Sequence, residues 1–333
     1  MTTIPFMVAE DRLSSEVLRK RLKRIHQGKV RDTYELPGHP DKLLVVATDR
    51  LSIFDFVLGY LIPRKGEILT AMTVFWLRQL FADLPHHLIA CGPEMDTYLP
   101  SSLRSLPQLQ KRALIVKKLQ MLPIECIARG YLTGTGLKAY RVEGKICGHE
   151  LPNGLHDGSK LVPALFTPTT KPTYGHDEHI TAESVLLKYG EMPSRVTLEV
   201  YERAAEFALE RGIIIADMKI ELGIDGTLAD EVITPDSCRF WDRNAYGIAV
   251  HKRTSPSGFD KEPVRQAGKK AIIDGKLIDL SSLDTTLLNA ELASRWEIPR
   301  DVIGQTVERY HQIFIRLTGM SLPTFQERIM EID

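Results

Sequence analysis

Apolar and polar positions alternate most clearly between Ile213 and Trp241. From Asp217 onward, Asp217, Lys219 and Glu221 fall on one face, and Met218, Ile220 and Leu222 on the other. This is the period of a strand buried on one side. Asp225-Gly226 is the dipeptide that a two-residue type I′ turn prefers, because both central positions need positive φ. Residues 228–234 then return as the second strand. With that turn Ile224 pairs with Thr227, and Glu221 stands opposite Asp230.

The same reading places the other elements. Residues 10–25 read as a helix that becomes basic at Arg19, Lys20, Arg21, Lys23 and Arg24. Residues 27–36 read as a strand starting in a tight turn at Gly28, with Lys29 and Arg31 on one face. Residues 43–47 and 113–119 read as strands. Residues 68–81 form a helix stopped by Pro85. Thr133-Gly134-Thr135-Gly136 opens a helix running through Tyr140. Residues 148–180 are loop-rich. Helices follow at 181–189 and 194–211, the second with a stripe of Val196, Val200, Ala204, Phe207 and Leu209, ended by Gly212. A last helix, 302–317, serves as a buttress.

Length and composition narrow the class. The 333 residues suffice for one large enzyme unit or two domains with their own cores. Basic and acidic residues balance at 43 each, which argues against a general nucleic-acid or membrane binder. No apolar run approaches the roughly 18 residues of a membrane span, and the N-terminus runs quickly into Glu10, Asp11 and Arg12. Cys91, Cys126, Cys147 and Cys238 lack zinc-type spacing and read as free thiols in a reducing compartment. The expectation is a soluble, cytoplasmic protein.

Several stretches carry candidate chemistry. Glu221 opposite Asp230 would be two repelling carboxylates unless a cation lay between them. Oxygen-only ligands favour a hard ion, Mg²⁺ first, and Mg²⁺ usually brings phosphates. The alternative is a solvated charged face on an edge hairpin. Arg239, delivered by the turn cluster Thr234-Pro235-Asp236-Ser237, could fork onto a phosphate or be a surface arginine. The Thr-Gly-Thr-Gly run is either an anion site at a helix N-terminus or a plain cap. Of Lys117 and Lys118, alternation lets only one point at a site. His176-Asp177-Glu178-His179 lacks a clear third metal ligand and reads as a hydrogen-bonding loop.

Taken in order, these motifs resemble one family. Gly28-Lys29-Val30-Arg31-Asp32, Thr48-Asp49-Arg50-Leu51-Ser52, Pro123-Ile124-Glu125-Cys126 with Arg129-Gly130-Tyr131 and Thr133-Gly134 come first. Thr167-Pro168-Thr169-Thr170-Lys171 with His176-Asp177-Glu178, Asp217-Met218-Lys219-Ile220-Glu221, and Asp230-Glu231-Val232 with Thr234-Pro235-Asp236-Ser237 follow. The set is similar to phosphoribosylaminoimidazole-succinocarboxamide synthase (SAICAR synthetase), over about residues 26–320.

That resemblance implies an α+β fold in two lobes with antiparallel sheets, a nucleotide cleft between the lobes and a distant likeness to protein kinases. The division expected is an N-terminal lobe, 1–121, and a C-terminal lobe, 122–333, acting as one catalytic unit. The implied reaction joins carboxyaminoimidazole ribonucleotide (CAIR) to L-aspartate, with ATP and Mg²⁺, through an acyl phosphate. By the matching motifs, Gly28, Lys29 and Arg31 resemble the loop over the ATP phosphates, with Lys118 and Glu125 also at the nucleotide. Lys219, Glu221 and Asp230 resemble the phosphate and metal cluster, Glu221 and Asp230 as metal ligands and Lys219 with Arg239 as catalytic cations. Arg129, Thr135 and Arg239 match positions that hold the ribonucleotide phosphate, and Ser52 and Asp55 the segment nearing the imidazole.

This chain departs from the family pattern at Thr135 (usually serine), His179 (asparagine), Leu222 (phenylalanine) and Cys238 (serine). The loop before His176 is one residue shorter than usual. The departures bear on substrate identity more than on ATP use. The rival readings are a paralogous ATP-dependent amide ligase and a nucleotide-binding regulatory protein without turnover. Neither oligomeric state nor regulation is legible.

Overall fold

The computed structural model describes residues 18–171 and 180–333. The expected loop His176 to His179 and most of the expected helix 10–25 lie outside these residues. Within the described part of that helix the chain has only a helical turn at Leu18 before strand β1 (Arg24–Gln27) begins. The chain divides into two compact units: residues 1–75, 87–118 and 261–333, and residues 76–86 and 119–260. No single cut near residue 121 separates them, because the C-terminal segment packs with the N-terminal strands.

The first unit is built on an antiparallel sheet of order β1-β2-β3-β7-β6, with β2 at Arg31–Leu36 and β3 at His39–Ala47. Its other strands are β6 (Leu88–Cys91) and β7 (Ala113–Lys117). Alternation along β2 buries Asp32, Tyr34 and Leu36. Tyr34, Leu44, Val46 and Ile115 pack with Leu18 and Leu22 as the core of this sheet. Residues 48–55 contain β4 (Arg50–Ile53), paired with β5 (Phe56–Leu61). Leu51, Ile53, Phe56 and Leu58 form a second core with Val264, Trp296 and Ile298 from the C-terminal segment.

The helix Lys65–Phe75 is buried on every side, its polar residues Lys65, Glu67, Thr70 and Thr73 included. Its entry is fixed by Asp49, whose Oδ1 accepts the Gly66 amide at 2.8 Å while Arg112 Nη2 lies 3.3 Å from Oδ2. The long C-terminal helix, Arg300–Thr318, packs against it as the expected buttress. Beyond Phe75 the chain continues as a π-helical turn, Trp76–Leu80.

The second unit has a sheet of order β11-β8-β13-β14, with β12 added to β8 and β15 added to β13. Its strands begin with β8 (Ile124–Tyr131), the small hairpin of β9 (Lys145–Ile146) and β10 (His149–Glu150), and β11 (Lys160–Phe166). They continue with β12 (Thr169–Thr170), β13 (Ile213–Leu222), β14 (Leu228–Ala229) and β15 (Cys238–Asp242). The predicted alternation holds in β13: Met218, Ile220 and Leu222 are buried, and Lys219 and Glu221 are half-buried. The helix Met192–Glu210 covers β13 and β8 with Val200, Tyr201, Ala204 and Ala208. Leu209, expected on its buried stripe, is 44% exposed.

The predicted register of the β13–β14 hairpin is off by one. Glu221 pairs with Ala229, not Asp230, and Leu222 pairs with Leu228. The turn holds three residues rather than two. The Gly223 amide donates to the Thr227 carbonyl at 2.9 Å, Asp225 Oδ1 accepts the Thr227 amide at 3.1 Å, and Gly226 takes φ +85°. A type I turn followed by a left-handed glycine is the standard three-residue closure. The return strand is also short, because Asp230 and Ile233 both have positive φ, 56° and 50°, and leave the extended region.

Gly130 on β8 lies under Tyr201, whose hydroxyl donates to the Ile215 carbonyl at 2.8 Å. A Cβ at position 130 would stand 1.8 Å from that hydroxyl oxygen and 2.8 Å from Cζ. Gly130→Ala is therefore expected to destabilise the protein by about 1–3 kcal/mol or more through overpacking. Tyr201→Phe alone should cost about 1 kcal/mol for the lost hydrogen bond. In urea unfolding the double variant should be more stable than the sum of the two losses predicts. Strict additivity would show that the hydroxyl is not what excludes the side chain.

Candidate active site

In the second unit the polar face of β13 collects most of the predicted residues. Register sets Arg129 of β8 and Arg239 of β15 on either side of Asp217. Arg239 thus lies within a strand rather than beyond a strand end. Arg129 Nη1 donates to Asp217 Oδ2 at 2.7 Å, and Arg239 Nη1 donates to the same oxygen. Arg129 and Asp217 are only 3% and 5% exposed. Arg129 also donates through Nε to Thr167 Oγ1 at 3.0 Å and through Nη2 to Thr135 Oγ1 at 3.1 Å. Burial pulls the Arg129 guanidinium below its usual pKa, Asp217 opposes this, and Arg239 adds to the pull.

Two guanidiniums sharing one carboxylate leave positive charge over, and it lies at a helix N-terminus. The helix Gly134–Glu143 starts after Thr133, whose side chain makes no capping bond. A Cβ at Gly134, which has φ +57°, would come within 2.5 Å of Arg239 Nη2, so the missing side chain lets the guanidinium lie against the first turn. Helix N–H groups and cationic side chains at one point favour an anion. Because Thr135 accepts from Arg129, its own hydroxyl proton can point outward to a further acceptor. Cys238, next in chain to Arg239, is buried, and burial pushes its thiol pKa up. The thiol therefore stays neutral and adds no negative charge beside this positive pocket.

Farther along the same face, cations alternate with carboxylates. Lys219 Nζ lies 2.7 Å from Glu125 Oε1, and Thr169 Oγ1 donates to Glu125 Oε2 at 3.5 Å. Lys171, just past β12, forms an ion pair with Glu221. Beneath them Cys126 is raised to about 12: burial raises it, a bond to Thr197 opposes, and the charges of Glu221 and Glu125 add. Asp230 follows Ala229 at the end of β14, out of register with Glu221. Leu222, at the end of β13, is fully buried on the opposite, apolar face.

In the first unit the turn from β1 to β2 carries Gly28, Lys29 and Arg31. The Gly28 amide donates to the Arg31 carbonyl at 2.7 Å, which closes the expected tight turn. Lys29 pairs with Asp55, which sits between β4 and β5 at φ 68°. Ser52 is buried on β4. Lys118 is exposed just past the end of β7, its amide donating to the Asp41 carbonyl at 2.8 Å. Arg50 lies beneath the turn and bonds the Gly28 and Lys29 carbonyls at 3.0 and 3.2 Å.

Four contributors were not singled out from sequence: Asp217 as the shared anion, Thr167 as partner of Arg129, Lys171 on Glu221, and Arg50 under the turn. Asp217 was within reach, since alternation puts it on the face of Lys219 and Glu221. Lys171 lay in a quoted motif, but nothing local says which strand it meets.

The sequence pattern of the SAICAR synthetase family matches residues 24–276. The phosphoribosylaminoimidazole-succinocarboxamide synthase of Methylibium petroleiphilum is 41% identical over 307 residues, covering 90% of this chain and 95% of that protein. The enzyme of the same name from Bordetella pertussis is also 41% identical over 307 residues, covering 90% and 96%. Among solved structures, SAICAR synthase from Saccharomyces cerevisiae complexed with SAICAR superposes with a TM-score of 0.72 at 34% identity, covering 90% of this chain and 96% of that one. The α+β fold with several antiparallel sheets is the fold of those structures. On the family match and on relatives aligned across nine-tenths of its length, this chain belongs to the SAICAR synthetase family.

Proposed function

We propose that this ATP-dependent carbon–nitrogen ligase of purine biosynthesis works through two clusters, one in each unit. Its reaction is phosphoribosylaminoimidazole-succinocarboxamide synthesis: CAIR and L-aspartate become SAICAR as ATP becomes ADP and phosphate. A carboxylate is a poor acyl donor. Transfer of the γ-phosphoryl group to a CAIR carboxylate oxygen makes an acyl phosphate. The aspartate amine then attacks the acyl carbon, loses a proton, and expels phosphate. Such transfers need positioned cations more than a protein nucleophile.

The observation that carries the reading is the Arg129–Asp217–Arg239 row against the helix at Gly134. It suits the 5′-phosphate of the ribonucleotide, with Thr135 donating its hydroxyl. Thr135 in place of serine keeps that donor, and Cys238 stays neutral and buried, so neither change argues for another acid. Lys219, steadied by Glu125, is assigned to charge developing on the transferred phosphoryl group. Gly28, Lys29 and Arg31 are assigned to the ATP phosphates, with Lys118 and Glu125 as further nucleotide contacts and Ser52 and Asp55 as contacts to the imidazole substrate.

Mg²⁺ suits the donor chemistry of Glu221 and Asp230. Among the described residues no group of three or more His, Cys, Asp or Glu closes a metal cage. Mg²⁺ seldom needs one, since it takes one or two carboxylates and fills its shell with water and phosphate. Glu221 already attracts a cation, the exposed ammonium of Lys171, which can swing aside. The ion would supply charge neutralisation on the phosphates. In the off-register hairpin Glu221 faces Ala229, so the two carboxylates are not cross-strand partners.

A cytoplasmic setting suits the four free cysteines. Among the described residues no helix is long and apolar enough to cross a membrane.

The test of the reaction is ADP release from ATP, Mg²⁺, CAIR and an equimolar mixture of aspartate, glutamate, asparagine and alanine, repeated with each reactant omitted. The expected product is SAICAR alone, and a dominant product from another amine would assign a paralogous ligase. Arg239→Lys keeps the charge but loses the fork, and should raise the KM for CAIR about tenfold or more while the KM for ATP changes little. Equal losses for both ligands would remove Arg239 from the phosphate site. Asp230→Asn tolerates the left-handed backbone, so the fold should stay intact while kcat falls by about two orders of magnitude or more. Wild-type turnover at ordinary Mg²⁺ in that variant would end the metal assignment.

A further inference from the structure

Arg50 is almost wholly buried, with its side chain 11% exposed, and its guanidinium serves three acceptors at once, one carboxylate and two backbone carbonyls. Nη2 donates to Asp32 Oδ1 at 2.7 Å, and Asp32 is fully buried. Nη2 also donates to the Gly28 carbonyl at 3.0 Å, and Nε to the Lys29 carbonyl at 3.2 Å. Another side chain steadies the next residue: Thr48 Oγ1 donates to the Val30 carbonyl at 2.8 Å. The peptide unit is planar and trans, so its C=O and N–H point in opposite directions. Turning the Gly28 and Lys29 carbonyls inward to Arg50 therefore turns the amides of Lys29 and Val30 outward. Successive outward N–H groups form the concave cradle that binds phosphate.

We infer that Arg50 is a positioning residue for ATP: by holding these two carbonyls it aims the Lys29 and Val30 amides at the nucleotide phosphates. This rests on the assignment of the Gly28–Arg31 turn to ATP. Asp32 is the countercharge that makes a buried guanidinium tenable beneath the turn. Arginine is needed because only a planar fork reaches a carboxylate and two carbonyls together. Lysine, a point charge on a flexible stem, satisfies the carboxylate but not all three acceptors.

The experiment compares the full-length wild type with Arg50→Lys and with the double variant Asp32→Asn/Arg50→Gln, in which both buried charges are removed together. KM is measured for ATP, CAIR and aspartate in turn, with thermal unfolding as the control for fold. Both variants are expected to fold and to raise the KM for ATP about tenfold or more, with the KM values for CAIR and aspartate within about twofold of wild type. In hydrogen exchange, ADP should protect the Lys29 and Val30 amides in the wild type and much less in Arg50→Lys. An unchanged ATP KM, an equal rise for all three substrates, or loss of fold in both variants overturns the inference and leaves Arg50 a structural residue. Lys29→Ala separates this from failure of the underlying assignment. If Lys29→Ala raises the ATP KM and Arg50→Lys does not, the turn meets ATP and only the role of Arg50 fails. If neither does, the assignment of the turn itself falls.

Discussion

A single carboxylate oxygen organises the second unit. Asp217 Oδ2 accepts from Arg129 on one neighbouring strand and from Arg239 on the other, so three strands meet at one buried atom. Removing a member of such a network leaves a charge buried and uncompensated, typically at a cost of about 3–5 kcal/mol. The row cannot slip either, because a one-residue shift would send every polar side chain of β13 to the apolar face. The same register that seats Asp217 between its arginines places Lys219 beside Glu125 and Glu221 beside Lys171. Structural and chemical demands therefore act on one set of residues: the charges that hold the sheet in register are those that leave positive potential at the helix N-terminus.

The first unit solves a related problem with backbone. Its turn at Gly28 carries the side chains of Lys29 and Arg31, and which way its peptide planes face is set from beneath. Arg50 and Thr48 settle that by drawing carbonyls inward. Both units thus use buried cations to orient groups near the surface, through side chains in one case and peptide planes in the other.

Much of this was legible in the chain. The period-2 pattern of β13 is strong because one face is buried along its whole length, and it survived intact. The register of the hairpin did not, since Asp225-Gly226 fits either a two-residue or a three-residue closure. The Asp225 bond to the Thr227 amide, which chooses between them, is invisible to a rule based on the dipeptide. Residues 48–55 carry Asp49, Arg50, Ser52 and Asp55, a polar run that does not announce a buried strand. They form a strand because Arg50 and Asp49 each find a buried counter-ion far away in sequence, at Asp32 and Arg112. The basic run after Arg19 promised a helix, but pairing with β2 draws residues 24–27 into the sheet. Ordered motifs carried the family and its chemistry; partners supplied by distant segments were beyond any local pattern.

The first unit is assembled from three separated stretches, the last of which is the C-terminal 73 residues, 261–333. Leu51, Ile53, Phe56 and Leu58 have their apolar partners Val264, Trp296 and Ile298 more than two hundred positions downstream. On the ribosome, the β4–β5 hairpin must therefore wait, with an apolar face uncovered, until residues 264–298 have emerged. Contacts of such long sequence separation slow folding and lengthen exposure to aggregation. The nascent chain thus passes through a stage in which the second unit has all its strands while the β4–β5 hairpin still lacks its cover. A premature stop after residue 260 would leave it there permanently, a target for chaperones and proteases rather than a shortened enzyme.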